Sequence, residues 1–150
     1  MAQTLVSLMV HVVFSTKQRR ALITPAVEPE LYAYLGGTAK NLASRCLAIG
    51  GTENHVHLLI SQSKNMALSD LMEEVKKSSS KWIKTKGPQF RTFGWQDGYG
   101  AFTVGQSTVE ALKQYIARQK EHHKRQTFEQ ELVAFLKKYR IEYDERYLWS

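Results

Sequence analysis

The chain has 150 residues, 43% of them hydrophobic, which suits one domain spanning residues 1–150 with one sizeable core. The lone cysteine, Cys46, excludes an intramolecular disulfide, and the lack of a signal segment or of about 18 consecutive apolar residues predicts a cytoplasmic protein without membrane contact. The net charge of +7 favours a polyanionic partner, of which nucleic acid is the first candidate.

Hydrophobic periodicity predicts alternating strands and helices in the first half of the chain. Apolar residues dominate 5–14 with the two-residue alternation of a strand. A Thr-Pro pair at 24–25 indicates entry into a first helix, which ends near Arg45. Two short strands follow, over 46–49 and 54–61, with a pair of glycines between them.

The second half predicts one further strand and three helices. An amphipathic helix begins at Leu68 and ends before Gly87, and a glycine- and aromatic-rich stretch then closes in a strand near 101–104. Two capping-box patterns, Ser107 with Glu110 and Thr127 with Gln130, predict the starts of two C-terminal helices.

The order strand, helix, strand, strand, helix, strand predicts an α+β fold. Its form is a ferredoxin-like (split βαβ, RRM-like) sandwich with an antiparallel sheet, helices on one face and additional C-terminal helices. We expect the other sheet face to stay open.

A His-x-His pair lies in the third predicted strand. Because side chains alternate along a strand, His55 and His57 share one face, while Val56, Leu58 and Ile60 face the helices. Two imidazoles on the uncovered face could share a metal ion. The plain alternative is a pair of half-buried histidines satisfied by hydrogen bonds.

The helix expected to begin near Thr108 carries a second polar pair. Tyr115 and Gln119 are four residues apart and so lie on one helical face, beside an apolar stripe that includes Ile116. A phenol and an amide oxygen placed there could approach the histidines. The alternative is an ordinary amphipathic tyrosine.

These motifs resemble those of the single-tyrosine HUH transposases of the IS200/IS605-like type. The likeness lies in His55-Val56-His57 and Tyr115-Ile116-Ala117-Arg118-Gln119, and in the segments 11–17, 93–102 and 143–149. It implies that His55 and His57 bind a metal, that Gln119 is the third ligand, and that Tyr115 is the nucleophile.

The resemblance further implies a metal-dependent enzyme of DNA transposition and recombination. Such an enzyme cleaves and rejoins single-stranded DNA with hairpin or palindromic ends through a 5′-phosphotyrosine intermediate, and it works as a homodimer. A tyrosine hydroxyl with a pKa of about 10 needs help to attack a phosphate. A cation held by neutral nitrogen and oxygen ligands supplies that help, and these ligands suit magnesium or manganese.

Basic residues near the expected open face are the predicted DNA contacts, although each could be an ordinary solvated side chain. They are Lys17, Arg19, Arg20 and Lys81. His11 alternates onto the face of the histidine pair. His122 and His123 lie one turn beyond Gln119, and periodicity puts His123 near the Gln119 side of the helix, although a solvated helix end is the simpler interpretation.

Two other functions remain compatible with the sequence. A non-catalytic single-stranded nucleic-acid-binding module would need only stacking and phosphate contacts. A metal-dependent hydrolase that uses water would leave Tyr115 without a chemical role.

Overall fold

The computed structural model describes residues 2–149 and has a four-stranded antiparallel sheet in the order β2-β3-β1-β4. The strands are β1 Met9–Ser15, β2 Arg45–Gly51, β3 His55–Ser61 and β4 Gly100–Thr103; the helices are α1 Glu28–Asn41, α2 Leu68–Ile83, α3 Val109–Ala117, α4 Gln119–His122, α5 Phe128–Lys138 and α6 Glu145–Leu148. The predicted α+β, ferredoxin-like order is confirmed. Within residues 2–149, no helix has both the length and the apolar character needed to cross a bilayer.

The first strand and first helix are shorter than the sequence predicts. β1 begins at Met9, which pairs with the last residue of β3, so the preceding residues have no strand partner and Leu5 is 83% exposed. The carbonyl of Thr24 accepts bonds from two following amides in a turn, which delays α1 to Glu28. The helix ends at Asn41, shortly before Ala43 turns the chain with a left-handed φ of 55°.

The first face of the sheet carries the main core. As predicted, Val56, Leu58 and Ile60 of β3 face α1 and α2, together with Val12 and Phe14 of β1. All five are at most 2% exposed. Burying this aliphatic surface is the main stabilising term that fixes the two helices on the sheet.

The second face is covered by the C-terminal helices, so the expectation of an open face is wrong. This face presents apolar residues as well as histidines, because Leu59 and Val13 alternate onto it. Val109 and Ile116 of α3 pack on Leu59. Phe128 and Leu136 of α5 pack on Val13 and Phe102. Exposed apolar surface of this kind favours a cover, which the chain's own C-terminal segment supplies.

A glycine sets the close approach of α3 to the sheet. A Cβ at Gly50 of β2 would lie 2.2 Å from the carbonyl oxygen of Ile116 and 2.9 Å from its Cγ2. Only glycine therefore lets α3 rest directly on β2. Because Tyr115 precedes Ile116, this contact also fixes the height of the tyrosine above the sheet.

The two predicted capping boxes have different outcomes. At α5 the box is confirmed: Thr127 Oγ1 accepts from the amide of Gln130, and the Gln130 side chain accepts from the amide of Thr127. At α3 the prediction is wrong, because residues 106–108 form a 3₁₀ turn in which the Thr108 hydroxyl donates to the carbonyl of Gly105. The helix starts at Val109 without a side-chain cap.

Candidate active site

The two histidines of β3 lie side by side under the C-terminal helices. Strand alternation puts both imidazoles on the second face, and both are fully buried. His55 Nε2 lies 3.0 Å from Gln119 Oε1, and His57 Nε2 lies 2.9 Å from Glu131 Oε1. Two imidazole nitrogens therefore meet groups that arrive from two different helices.

Tyr115 and Gln119 reach the same place although they are not on one continuous helix. α3 ends at Ala117, Arg118 adopts φ −104° and ψ 21°, and Gln119 begins α4. The Tyr115 hydroxyl nevertheless donates to Glu131 Oε2, and Gln119 Nε2 donates to the same oxygen at 3.1 Å. The structure thus brings together all four residues predicted for metal binding and catalysis.

The carboxylate at their centre is one that the sequence reasoning missed. Glu131 lies on α5, is 2% exposed, and places Oε1 at 2.9 Å from His57 Nε2 and 3.5 Å from His55 Nε2. A signal was present, since Glu131 stands in the apolar stripe of α5 between Phe128 and Phe135. A charged residue at a buried helical position indicates a partner.

His123 also belongs to this group, so its interpretation as a solvated helix end is wrong. Its side chain is 11% exposed, its Nε2 lies 3.2 Å from Glu131 Oε1, and its ring lies 4.4 Å from that of His55. α4 is only one turn long, and α5 folds back over the sheet, which turns His123 inward. The neighbouring His122 stacks on the Tyr115 ring at 4.6 Å.

Outer partners orient the two strand histidines. His57 Nδ1 lies 2.8 Å from His11 Nε2, and His55 Nδ1 lies 2.8 Å from Asn54 Oδ1 and 2.9 Å from Thr52 Oγ1. With Nδ1 engaged in this way, both Nε2 atoms point into the centre. Partners of this kind fix the tautomer and ring orientation of metal-binding histidines.

The donor set fits one divalent metal ion. We refer to His55, His57, His123 and Glu131 as the His-Glu cluster; their ligand atoms all lie within 4.8 Å of one another. Donors bound at about 2.1 Å to one ion lie about 3.0 to 3.5 Å apart. The three contacts of Glu131 Oε1 with the imidazoles, from 2.9 to 3.5 Å, match that spacing.

Burial and the shared carboxylate set the protonation states. Burial lowers the pKa of His57, although Glu131 opposes this, so the ring favours the neutral form that a ligand needs. Burial alone would raise the pKa of Glu131, but hydrogen bonds from His123, His55 and His57 outweigh it and hold that pKa far below its usual value. Burial, and then the hydrogen bond to Glu131, raise the pKa of Tyr115, which keeps the phenol protonated.

An open cavity leads to the tyrosine from the solvent. It has a volume of about 210 Å³ and is lined by Tyr115, Glu131 and Lys138, among others. Among the described residues, no carboxylate lies within ion-pair distance of Lys138. The sequence reasoning did not single out this lysine, because a basic residue near a helix end is common.

The predicted DNA contacts are distributed unevenly around the cluster. Lys17 and Arg20 are exposed near the end of β1. Arg19 reaches the C-terminal segment, with its guanidinium 5.0 Å from the Trp149 ring and 3.8 Å from a Glu129 oxygen. Lys81 is exposed on α2, which packs on the opposite face of the sheet, so the structure does not bring it to the cluster.

Known proteins share this fold and sequence pattern. The ISDra2 transposase TnpA of Deinococcus radiodurans is 25% identical over 114 residues, covering 73% of this chain and 81% of that protein. A crystal structure of a candidate transposase from Deinococcus radiodurans has a TM-score of 0.63 and 22% identity, covering 79% of this chain and 95% of that chain. A REP-associated tyrosine transposase bound to a REP hairpin has a TM-score of 0.61 and 13% identity, covering 82% of this chain and 73% of that chain.

A family sequence model also matches most of the chain. The sequence model of the family described as "Transposase IS200 like" matches residues 4–119, which include the histidine pair, Tyr115 and Gln119. His123 and Glu131 lie beyond the matched residues. Because the match covers well over half of the chain and the fold agrees, this protein belongs to the IS200-like family of tyrosine transposases.

Proposed function

We propose that this transposase cleaves and rejoins single-stranded DNA with Tyr115 as its nucleophile. One observation carries the proposal: the Tyr115 hydroxyl donates to Glu131, the carboxylate that His55 and His57 also contact. A nucleophile and a set of metal donors that share one carboxylate can act on one phosphate. In a hydrolase that uses water, this placement of the phenol would have no purpose.

The chemical step follows from the positions of the side chains. Tyr115 Oη bonds to phosphorus while the bond from phosphorus to the 3′-oxygen breaks, which leaves a 5′-phosphotyrosine and a free 3′-hydroxyl. The phenolic proton moves through Glu131 Oε2, which accepts the hydrogen bond from that hydroxyl, to the departing 3′-oxygen; the low pKa of Glu131 means that the carboxylate only relays this proton and does not keep it. The reverse step, with a 3′-hydroxyl as the attacking group, rejoins the strand and returns the proton to Tyr115.

The scissile phosphate enters through the cavity lined by Tyr115 and Lys138. The ammonium group of Lys138 gives this cavity a positive charge to meet the phosphate. Burial on the other sides of the cluster keeps bulk water away from the reacting atoms.

The metal donors would be the His-Glu cluster together with Gln119 Oε1. A divalent cation bound there would offset charge on the phosphate and polarise phosphorus. Three imidazoles make the set richer in nitrogen than magnesium prefers, so manganese is favoured over magnesium. His11 and Asn54 serve this set by holding the Nδ1 atoms of the two strand histidines.

We infer that Tyr115 acts within its own subunit, because it contacts the cluster of the same chain. The expected homodimer would then provide two separate active sites for the two ends of a mobile element. The substrate would be single-stranded DNA with hairpin or palindromic ends, reached in the cytoplasm. The net charge of +7 and the likeness to a transposase bound to a REP hairpin support such a partner.

Capture of a covalent adduct tests the proposal. The full chain is incubated with manganese and the single-stranded DNA of the palindromes that flank its gene, and the product is analysed by denaturing gel and peptide mass spectrometry. We expect a DNA-linked peptide that contains Tyr115, and none from Tyr115→Phe. Tyr139→Phe is the matched control, because it removes only a hydroxyl that donates to the carbonyl of Thr103 at 3.3 Å. An adduct from Tyr115→Phe would overturn the assignment, and full DNA binding without cleavage or metal dependence would favour the non-catalytic binding module.

A further inference from the structure

A second cavity lies on the side of α5 away from Tyr115. It has a volume of about 250 Å³ and lies between the end of β1, the loop 96–99 and the C-terminal segment. None of the residues of the His-Glu cluster lines it. The two sites share a wall, because Phe128 lines the cavity and its ring also lies 4.6 Å from that of His55.

Part of the wall of this cavity is aromatic. Phe128 and Trp149 line it with ring centroids 6.4 Å apart, and the Arg19 guanidinium lies over the Trp149 ring at 5.0 Å. Aromatic rings and guanidinium planes are the surfaces on which proteins stack unpaired bases. A cavity of about 150 Å³ is large enough for benzene, so this one has room for a larger planar ring.

Arg19 and Asp97 both line the cavity, so its charged groups are one cation and one anion and not the excess of cations that favours a phosphate. Asp97 lines the cavity, and its negative charge would repel a phosphate but accept a hydrogen bond from an exocyclic amino group. The loop that carries it is held in place, because Lys76 Nζ donates to the carbonyls of Gln96 and Gly98 at 2.7 Å each. The cavity is therefore shaped before a ligand arrives.

The backbone that supplies Arg19 is strained in a way that serves this site. Gln18 and Arg19 have φ values of 56° and 54°, in the left-handed region that is costly for residues other than glycine. The Gln18 amide donates to Gln96 Oε1 at 2.9 Å, which ties the strained turn to the loop. This left-handed turn directs the Arg19 guanidinium towards Trp149 of the C-terminal segment.

We propose that this cavity binds one unpaired nucleobase of the single-stranded substrate and prefers a base with an exocyclic amino group. The inference rests on the proposed function for the nature of the substrate. The base stacks on Trp149, with Arg19 beside it and Asp97 at its edge. This subsite lets the protein select sequence at a position separate from the cleaved phosphate.

Nuclear magnetic resonance on the full ¹⁵N-labelled chain in EDTA tests the subsite without cleavage or metal. The chain has three tryptophans, so three indole N–H signals are expected, and Trp149→Phe identifies the relevant one. Titration with the four deoxynucleoside monophosphates should shift the Trp149 signal, more with the cytidine, adenosine and guanosine nucleotides, whose bases carry an exocyclic amino group, than with the thymidine nucleotide. Deoxyribose 5-phosphate, which lacks a base, should leave it in place. The Trp82 indole, which belongs to a ring stacked on Tyr34, is the internal control.

Binding of a single-stranded 12-mer of thymidine with one central cytidine gives the second readout. Trp149→Ala should weaken binding about 5- to 150-fold, the range for loss of one stacked base, and Trp149→Phe should restore most of it. No shift with any nucleotide, or the same shift with the sugar phosphate, would overturn the inference while leaving the Tyr115 adduct intact. Nucleotide binding without an adduct would instead overturn the proposed function alone.

Discussion

Replacement of Glu131 by glutamine removes one charge from the centre of the site while keeping the size of the side chain. Its Oε1 lies within 3.5 Å of three imidazole Nε2 atoms, and its Oε2 accepts from Tyr115 and Gln119. Whichever way the new amide is oriented, its NH₂ group replaces an acceptor oxygen, so it faces either the imidazole nitrogens or the hydroxyl of Tyr115 and the amide of Gln119. We therefore expect Glu131→Gln to weaken both the metal-free fold and the metal site.

The magnitudes follow from the buried contacts. Loss of one partner from a buried charged group costs several kcal/mol, and a net cost of about 2 to 4 kcal/mol is expected here. For a chain of this length, that cost corresponds to a melting temperature roughly 5 to 15 °C lower in EDTA. A lost ligand costs at least as much as a lost outer partner, so manganese affinity should fall about 100-fold or more.

Thermal melting in EDTA and isothermal titration with manganese at pH 7 measure the two effects. Glu129→Gln is the matched control, since its side chain is 45% exposed and its ion pair with Arg19 is long, at 3.8 Å. Such a surface pair contributes about 0 to 1 kcal/mol, so the control should melt and bind manganese much as the unmodified chain does. If Glu131→Gln behaved like this control in both assays, the carboxylate would not be part of a metal site.

Three other predictions test separate features. Gly50→Ala should lower the free energy of unfolding by about 2 to 4 kcal/mol in chemical unfolding, because its Cβ would lie 2.2 Å from the α3 backbone. Gly37→Ala is the control: its Cβ would meet nothing within 4 Å in an exposed helical turn, so this change should raise the free energy of unfolding by about 0.5 to 1 kcal/mol. Equal effects of the two changes would show that α3 does not rest on β2. Lys138→Ala should weaken single-stranded DNA binding for all sequences and make the slope of log K against log salt about 0.7 less steep, while Lys137→Ala, which does not line the cavity, should change neither as much. Burial raises the pKa of the Cys46 thiol to about 11, so the rate of its alkylation should keep rising about tenfold per pH unit from pH 8 to 10 in the folded chain but level off near pH 9 in urea. The stability linked to this shift is lost as the pH rises through about 11. A folded-state alkylation rate that levels off near pH 9 would contradict the shift.

The sheet and its first layer of helices were predictable from the sequence, because periodicity reports which face of each element is buried. The alternation of His55 and His57 with aliphatic residues placed the pair opposite the main core, as observed. Element ends were less well predicted, since they depend on partners distant in sequence. The start of β1 is set by the length of β3, and the entry of α1 by a turn at Thr24.

The cover over the site could not be predicted in the same way. Local pattern predicted that α5 begins after Thr127, but not that it folds back over the second face. The roles of Glu131 and His123 depend on that packing, which joins residues 66 to 76 positions away from the strand histidines. The predicted pair of Tyr115 and Gln119 meets at one point only because both side chains reach the carboxylate from α5.

A crystal structure of the full chain with manganese, with the ion located by its anomalous scattering, tests the central claim most directly. We expect one ion within bonding distance of His55 Nε2 and His57 Nε2, next to Glu131 and adjacent to the Tyr115 hydroxyl. An ion bound elsewhere, or no ion at saturating manganese, would contradict it.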